Sequence, residues 1–228
     1  MATDLRPRAD QAEDRAAPGT VLRGIDWATY RKLRDNPRNH RTRMSYLDGT
    51  LILMSPQYLH DQSGWRLALV VDRVTEVHRI PCQGTVSTTL RRRGDRPRKG
   101  SGKEPDFGFY LGANEARMRN KPEIDLDVDP PPDLAIEVDH KADSSRALKL
   151  YAKLGVPEVW RYKPTIRALW FGRLAGDRYE TADRSVALPR LTPALVVEAL
   201  AEAERLGESD WKPWLRAWAL TLPEPALD

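Results

Sequence analysis

Two short runs in the middle of the chain, EPDFGFYL and PDLAIEVD, alternate between apolar and polar residues. Alternation with a period of two predicts β-strands, because successive side chains on a strand point to opposite faces of a sheet. Asp106 then shares a face with Gly108 and Tyr110 in the first strand, and Glu137 shares a face with Asp139 in the second. The pattern therefore predicts two strands that carry carboxylates near their ends.

Helical spacing of apolar residues marks two further segments. Between Gln57 and His78 the apolar side chains recur every three or four positions, which predicts a long helix with one buried face. The run SSRALKLYAKLG predicts a second helix that ends at Gly155. Nearer the N-terminus, Asp26 is a typical N-cap for a helix in DWATYRKLRD, and the pair Asp48-Gly49 predicts a hairpin within MSYLDGTLILMSP.

The remaining apolar runs complete the expected fold. QGTVSTTLRRR, EVWRYKP, IRALWFGR and RYETA each predict a strand, and two amphipathic helices close the chain. This order of elements predicts an α/β or α+β protein, with a mixed β-sheet flanked by helices. An N-terminal helix and hairpin precede the sheet, and helices follow it.

A chain of 228 residues is long enough for one large domain with a substantial core. We predict a single domain over residues 21–228, in which residues 193–228 form a C-terminal helical extension. Residues 1–20 mix both charge signs with Ala and Pro and offer little to bury, so we predict a disordered tail there.

Composition indicates a soluble setting. The only cysteine, Cys82, rules out an intrachain disulfide, and no apolar run reaches membrane-spanning length. The N-terminal residues lack the apolar segment of a secretion signal, so we expect a cytoplasmic protein without a membrane partner. Four of the tryptophans lie in apolar patterns suited either to core packing or to a homodimer interface: Trp160, Trp170, Trp214 and Trp218.

Basic residues concentrate in one segment, RRRGDRPRKGSGK, which holds seven Arg or Lys among Gly, Ser and Pro. This composition predicts a mobile basic loop, from Arg91 to Lys103, rather than core. The formal net charge of +4 permits a polyanionic partner without requiring one. A basic loop suits contacts to nucleic-acid phosphates, which need charge more than shape.

The carboxylates give the strongest indication of chemistry. Asp106, Glu137 and Asp139 can converge if their strands are neighbours in the sheet. Gathered carboxylate oxygens suit Mg²⁺ or Mn²⁺, which prefer hard oxygen ligands. Such an ion supports phosphodiester cleavage by polarising the phosphoryl oxygen and lowering the pKa of the attacking water.

Several of these segments, taken in order, resemble the Uma-two family of putative restriction endonucleases, which belongs to the PD-(D/E)xK nuclease superfamily. The resemblance rests on RMSYLDGTLILMSP, GTVSTTLRRR, EPDFGFYLG, PDLAIEVD and LYAKLGVPEVWRY, and runs from about Trp27 to Phe171. It implies a restriction-endonuclease-like fold. It also implies that Asp106 is the first metal ligand and Glu137 the second, with Asp139 at the position where the superfamily motif carries its lysine.

The resemblance further implies a lysine on the helix that follows, four residues before the tyrosine. In this chain that position is Ala147, and Lys149 is the nearest lysine along the helix. Lys149 is therefore the predicted substitute. A second departure is Ser45, which stands where the family carries an acidic residue before its hairpin.

Two classes of function follow from the site. The first is a Mg²⁺- or Mn²⁺-dependent endonuclease acting on DNA, in which Asp106, Glu137 and Asp139 bind the metal and Lys149 assists catalysis. The second is a nucleic-acid-binding module that keeps the fold but has little or no catalytic activity. Cleavage that depends on a metal ion and stops with a chelator distinguishes the first from the second.

Overall fold

The protein is described by a computed structural model over residues 20–40, 42–54, 58–86, 88–139 and 145–224. The strands are β1 (Thr20–Arg23), β2 (Arg43–Leu47), β3 (Thr50–Met54), β4 (Cys82–Val86), β5 (Leu90–Arg92), β6 (Ser101–Lys103), β7 (Phe107–Leu111), β8 (Leu134–Val138), β9 (Glu158–Lys163), β10 (Ala168–Ala175) and β11 (Arg178–Thr181). The α-helices are α1 (Trp27–Arg34), α2 (Tyr58–Val77), α3 (Ala113–Met118), α4 (Ser145–Leu154), α5 (Pro193–Leu206) and α6 (Glu208–Leu220).

The strands form two sheets. The first, here called the N-terminal sheet, has the order β1-β3-β2-β6-β5, and all of its strand pairs are antiparallel. The second, the mixed sheet, has the order β11-β10-β9-β8-β7-β4 and combines a parallel β8–β9 pair with antiparallel neighbours. The predicted mixed sheet flanked by helices is confirmed, and the second sheet adds to it.

One bent ribbon of two strands links the sheets. In the mixed sheet β4 pairs with β7, and Val86 lies opposite Phe107. In the N-terminal sheet β5 pairs with β6, and Leu90 lies opposite Lys103. Val86 and Leu90 are four positions apart, as are Lys103 and Phe107, so the same two segments of the chain pair with each other in both sheets. The part of these segments that lies between the sheets is here called the bend. Pro105 lies in the bend, where its missing N–H cannot break a ladder hydrogen bond.

The mixed sheet carries helices on both faces. Residues of α2, α5 and α6 form one core with Ile136 and Trp160, and Trp160 stacks on Phe171. On the other face α4 buries Leu148, Tyr151 and Leu154 against Ala135 and Val159. Because residues alternate across a strand, Ala135 and Glu137 point toward the α4 side. None of the helices in the described ranges combines the length and apolar character needed to cross a membrane.

Local signals in the sequence placed several elements correctly. The Asp26 side chain accepts a hydrogen bond from the Thr29 backbone N–H and caps α1, as its position predicted. Asp48 and Gly49 both have positive φ, at 46° and 87°, and form the turn between β2 and β3. Helix α4 ends before Gly155, whose φ is 79°.

Two expectations were wrong. QGTVSTTLRRR does not form one strand, because β4 and β5 belong to different sheets. The segment from Arg91 to Lys103 is not a loop throughout, because its last three residues form β6 and are buried. The glycines there reflect packing: a Cβ on Gly100 would overlap the Trp27 ring, and one on Gly102 would overlap the Tyr30 hydroxyl. The disordered tail proposed for the N-terminus lies outside the described residues, up to residue 19.

Candidate active site

Asp106 directly precedes β7, and Glu137 lies on the adjacent strand β8, so the two residues are neighbours, as the alternation predicted. Strand β7 pairs with β8 through Phe107 and Ile136, and Asp106 and Glu137 stand one position further along the two segments. The two residues are 3% and 8% exposed. A second indication of their closeness is that the Asp106 charge raises the pKa of Glu137. Two buried carboxylates therefore converge at the bend of the ribbon.

Each oxygen of Asp106 has a distinct partner. Oδ2 accepts a hydrogen bond from the Val138 backbone N–H at 2.8 Å, which fixes the carboxylate against β8. Oδ1 accepts from the guanidinium of Arg43, the first residue of β2, in an ion pair. The Arg43 side chain is 18% exposed, so this pair is shielded from most solvent. The N-terminal sheet therefore supplies a cation to a carboxylate of the mixed sheet.

Glu137 is held by Lys103 and Tyr151. The Lys103 Nζ lies 2.9 Å from Oε1 and 3.0 Å from Oε2, and it also donates to the Glu104 carbonyl at 3.3 Å. The Tyr151 hydroxyl, on α4, donates to Oε1. The same Tyr151 ring faces the ammonium, with its centre 5.6 Å from Nζ. A lysine from the bend therefore faces the second carboxylate.

Burial dominates the electrostatics of the site. Loss of solvent raises the pKa of Glu137, the Asp106 charge raises it further, and Lys103 and the Tyr151 hydrogen bond oppose the rise. Burial, followed by the Glu137 charge, raises the pKa of Tyr151 well above its ordinary value, so its hydroxyl stays protonated and donates. The site thus gathers two carboxylates whose mutual repulsion is relieved by cations.

A third buried carboxylate fixes the bend beside this site. Glu104 Oε1 accepts from Arg34 Nη1 at 2.5 Å and from the Thr89 hydroxyl at 3.2 Å. Arg34 also donates to the Thr42 carbonyl at 2.9 Å, which ties α1 to the start of β2. Burial raises the pKa of Glu104, and Arg34 counteracts it. The contacts with Arg34 and Thr89 hold the side chain of Glu104, the residue that follows Lys103.

The other two predicted site residues lie in different surroundings. Asp139 Oδ2 accepts from Arg161 Nε at 3.0 Å and Nη2 at 2.9 Å, and the guanidinium carbon lies 5.9 Å from the centre of the Trp170 ring. Lys149 is exposed on α4, and among the described residues Lys103 contacts Glu137. The structure therefore brings Asp106 and Glu137 together with Lys103, the last residue of β6.

A divalent ion fits the remaining pair of carboxylates. Within the described ranges no group of three His, Cys, Asp or Glu residues is arranged to hold a metal. Mg²⁺, however, is often bound through one or two protein carboxylates, with waters and substrate phosphate oxygens as its other ligands. Asp106 and Glu137 meet this requirement. The expected third ligand, Asp139, is engaged by Arg161.

Comparison with known proteins gives a family match. A family model, Uma2, described as "Putative restriction endonuclease", matches residues 27–204 of the chain. Among solved structures, the chain is similar to a putative nuclease belonging to DUF820 from Anabaena variabilis ATCC 29413. That match has 19% identity and a TM-score of 0.45, and it covers 77% of this chain and 90% of the other. No curated protein matches the chain.

Proposed function

The chain belongs to the Uma2 family of putative restriction endonucleases, and from this premise we propose that it is a Mg²⁺- or Mn²⁺-dependent endonuclease that hydrolyses DNA phosphodiester bonds. The observation that carries the proposal is the buried pair Asp106 and Glu137 with Lys103 in contact. Burying two neighbouring carboxylates is costly unless cations compensate them. Binding of a divalent ion would account for two carboxylates placed side by side in the interior.

Asp106 and Glu137 are the residues that would hold the ion. When bound, Mg²⁺ would lower the pKa of an attacking water and neutralise charge at the leaving oxygen. The Val138 N–H holds Asp106, and Tyr151 holds Glu137, so both carboxylates are oriented before the ion arrives. Such orientation reduces the reorganisation that binding requires.

Lys103 is proposed to orient the attacking water or to stabilise the charge that develops on the phosphoryl oxygens. Its ammonium carries three protons and is fixed between the Glu137 carboxylate and the Glu104 carbonyl. A proton directed toward the substrate would orient the attacking water or interact with the charge that grows on the phosphoryl oxygens. This proposal replaces Lys149 with Lys103.

Cleavage assays test the enzyme proposal. Wild-type protein is expected to cut supercoiled plasmid in Mg²⁺ or Mn²⁺ and to stop when a chelator is added. Asp106→Asn should lose cleavage by at least about a hundredfold while its circular dichroism spectrum is unchanged. Retained DNA binding without any cleavage in either metal would instead support a binding module that keeps the nuclease fold.

The exposed part of the basic segment is the proposed contact to DNA phosphates. Arg91 pairs with Asp35 at 2.8 Å, and Arg92 donates to the Leu126 and Lys153 carbonyls, so both stabilise the fold. The exposed basic side chains lie between them and β6: Arg93, Arg96, Arg98 and Lys99. We propose that these exposed residues, rather than Arg91 and Arg92, contact the backbone of DNA.

Salt dependence tests the DNA contact. In chelator, the double variant Arg93→Gln/Arg96→Gln should bind duplex DNA more weakly, with a salt slope smaller by about 0.9 for each phosphate that is no longer neutralised. The matched control is Arg173→Gln/Arg178→Gln, which removes two exposed arginines from the β10–β11 pair. Equal effects of the two double variants would show that the binding is non-local and would contradict this placement.

A further inference from the structure

Arg43 contacts Oδ1 of Asp106, the oxygen that the Val138 N–H does not engage. The carboxylate has two oxygens, and Oδ2 is already engaged by the Val138 N–H at 2.8 Å in the interior of the mixed sheet. Oδ1 is the oxygen that faces Arg43, with Nη1 of its guanidinium in direct contact. An ion that coordinates Asp106 through Oδ1 therefore meets Arg43 at this oxygen.

Arg43 and Lys103 differ in how firmly they are placed. The Lys103 side chain is 6% exposed, whereas the Arg43 side chain is 18% exposed and begins at the first residue of its strand. A long side chain with a partly exposed head can move toward solvent without leaving its charge buried. Arg43 is thus the cation of the two that can withdraw.

Electrostatic repulsion disfavours binding of a divalent ion while Arg43 remains in contact with Asp106. With both cations in place, each of the two carboxylates already has a positive charge in contact. A divalent ion added to this buried cluster would face two like charges at short range, where the low dielectric strengthens repulsion. Withdrawal of Arg43 removes one of them and opens Oδ1 to the ion.

On the basis of the proposed function, we propose that Arg43 is a competing counter-ion, which neutralises Asp106 in the metal-free protein and must leave it when a divalent ion binds. Arg43 in this way lowers the affinity of the site for the ion while keeping the buried carboxylate paired in its absence. The guanidinium that leaves Asp106 is then able to meet a phosphate oxygen of the nucleic acid.

Binding of Mn²⁺ alone, followed by electron paramagnetic resonance of the unbound ion, tests this proposal without any cleavage. Arg43→Gln is expected to bind Mn²⁺ about three- to tenfold more tightly than the wild type, because a competing charge is lost. The matched control is Arg190→Gln. The Arg190 side chain is 15% exposed and pairs with Glu224, away from Asp106. Its removal should leave Mn²⁺ affinity unchanged.

Thermal unfolding provides a second measurement on the same variant. Without metal, Arg43→Gln should unfold at a lower temperature than the wild type, because Asp106 loses a charged partner. Saturating Mn²⁺ should then raise its melting temperature by more than it raises that of the wild type. If Arg43→Gln does not fold, Arg43→Lys, which keeps the charge on a more mobile head, should show a smaller gain in affinity.

The outcomes separate this inference from the proposed function. Tighter Mn²⁺ binding by Arg43→Gln supports the inference. Unchanged or weaker binding, with a wild-type affinity that Asp106→Asn abolishes, overturns the role of Arg43 and leaves the metal site intact. Failure of both the wild type and Arg43→Gln to bind Mn²⁺ would overturn the metal site and the inference together.

Discussion

Glu137 and Glu158 are buried glutamates on neighbouring parallel strands, β8 and β9, but they face opposite sides of the mixed sheet. Glu137 meets an ammonium, a tyrosine hydroxyl and the charge of a second carboxylate. Glu158 meets neutral donors: Trp160 Nε1 at 2.6 Å, the Ser185 hydroxyl at 3.1 Å and the Ala187 N–H at 2.7 Å. Burial is the main cause of a raised pKa at both.

The comparison shows that burial and a raised pKa do not by themselves identify a functional carboxylate. Glu158 uses its oxygens to anchor the segment that follows β11, and its donors come from that segment and from its own strand. Glu137 instead pairs with Lys103 of the N-terminal sheet, and it lies beside a second buried carboxylate, Asp106. The signature of the candidate site is therefore the pairing of acids from one sheet with cations from another.

Removing the cation at Glu137 is expected to have the largest effect. Lys103→Met should lower the rate of plasmid cleavage in Mg²⁺ by about 10² to 10³, because a positive charge close to the reacting phosphate is lost. DNA binding should change little, since most of the affinity comes from phosphate contacts elsewhere. The measurement is a single-turnover cleavage rate.

Lys149→Met is the control for this change. It removes a lysine that is exposed on α4, and its cleavage rate should stay within about threefold of the wild type. A large loss in Lys149→Met, with a small one in Lys103→Met, would reverse the two assignments.

Truncation of Glu158 should affect stability rather than chemistry. Glu158→Ala leaves the Trp160, Ser185 and Ala187 donors without their buried acceptor, so we expect the free energy of unfolding to fall by about 3 to 5 kcal/mol. Urea denaturation measures this loss. Cleavage per folded molecule should remain near the wild-type value, and its abolition in well-folded protein would make Glu158 part of the functional site.

The elements that the sequence predicts correctly are those with local signals. The Asp26 cap and the Asp48-Gly49 turn depend on residues within a few positions of each other. The convergence of Asp106 and Glu137 also followed from alternation, once their strands were taken as neighbours. Such features need little knowledge of the rest of the chain.

Lys103 could not be predicted in the same way. Its burial depends on β6 pairing with β2 and β5, through Tyr46 opposite Gly102 and Leu90 opposite Lys103. In the sequence it ends a basic run with several glycines, which is typical of an exposed loop. The available signal was that Lys103 lies three residues before Asp106. A strand that leads into the Pro-Asp turn would bring Lys103 close to the carboxylates.

A smaller effect is expected from the hydroxyl of Tyr151. Tyr151→Phe removes the donor to Glu137 Oε1 while keeping the ring that faces Lys103. Glu137 should then be less well oriented, and Mn²⁺ affinity should fall about three- to tenfold, equivalent to about 0.6 to 1.4 kcal/mol, the net contribution of a typical hydrogen bond. Titration calorimetry with Mn²⁺ measures this change.

Tyr179→Phe is the matched control for that hydroxyl. Tyr179 lies in the same core on the α4 side of the mixed sheet, and its hydroxyl donates to the Val156 carbonyl at 2.6 Å. Its loss should lower stability by about 1 kcal/mol without changing Mn²⁺ affinity. Equal effects of both variants on metal binding would indicate a general loss of packing instead of a specific role for Tyr151.

The pH dependence of stability gives the smallest and most specific test of Glu158. Because burial raises its pKa in the folded protein, the folded state binds the proton more tightly than the unfolded chain does. The stabilisation linked to this proton is fully present below the unfolded pKa of about 4.5 and is lost as pH rises through the raised, folded value. The unfolding free energy of the wild type minus that of Glu158→Gln should therefore decrease with rising pH, by at most about 1.4 kcal/mol per pH unit.

Glu76→Gln is the control with the opposite sign. A hydrogen bond from Arg73 lowers the pKa of Glu76, so the corresponding difference in unfolding free energy should increase with pH. A difference for Glu158 that also increased with pH would mean that its three donors outweigh burial in setting its pKa.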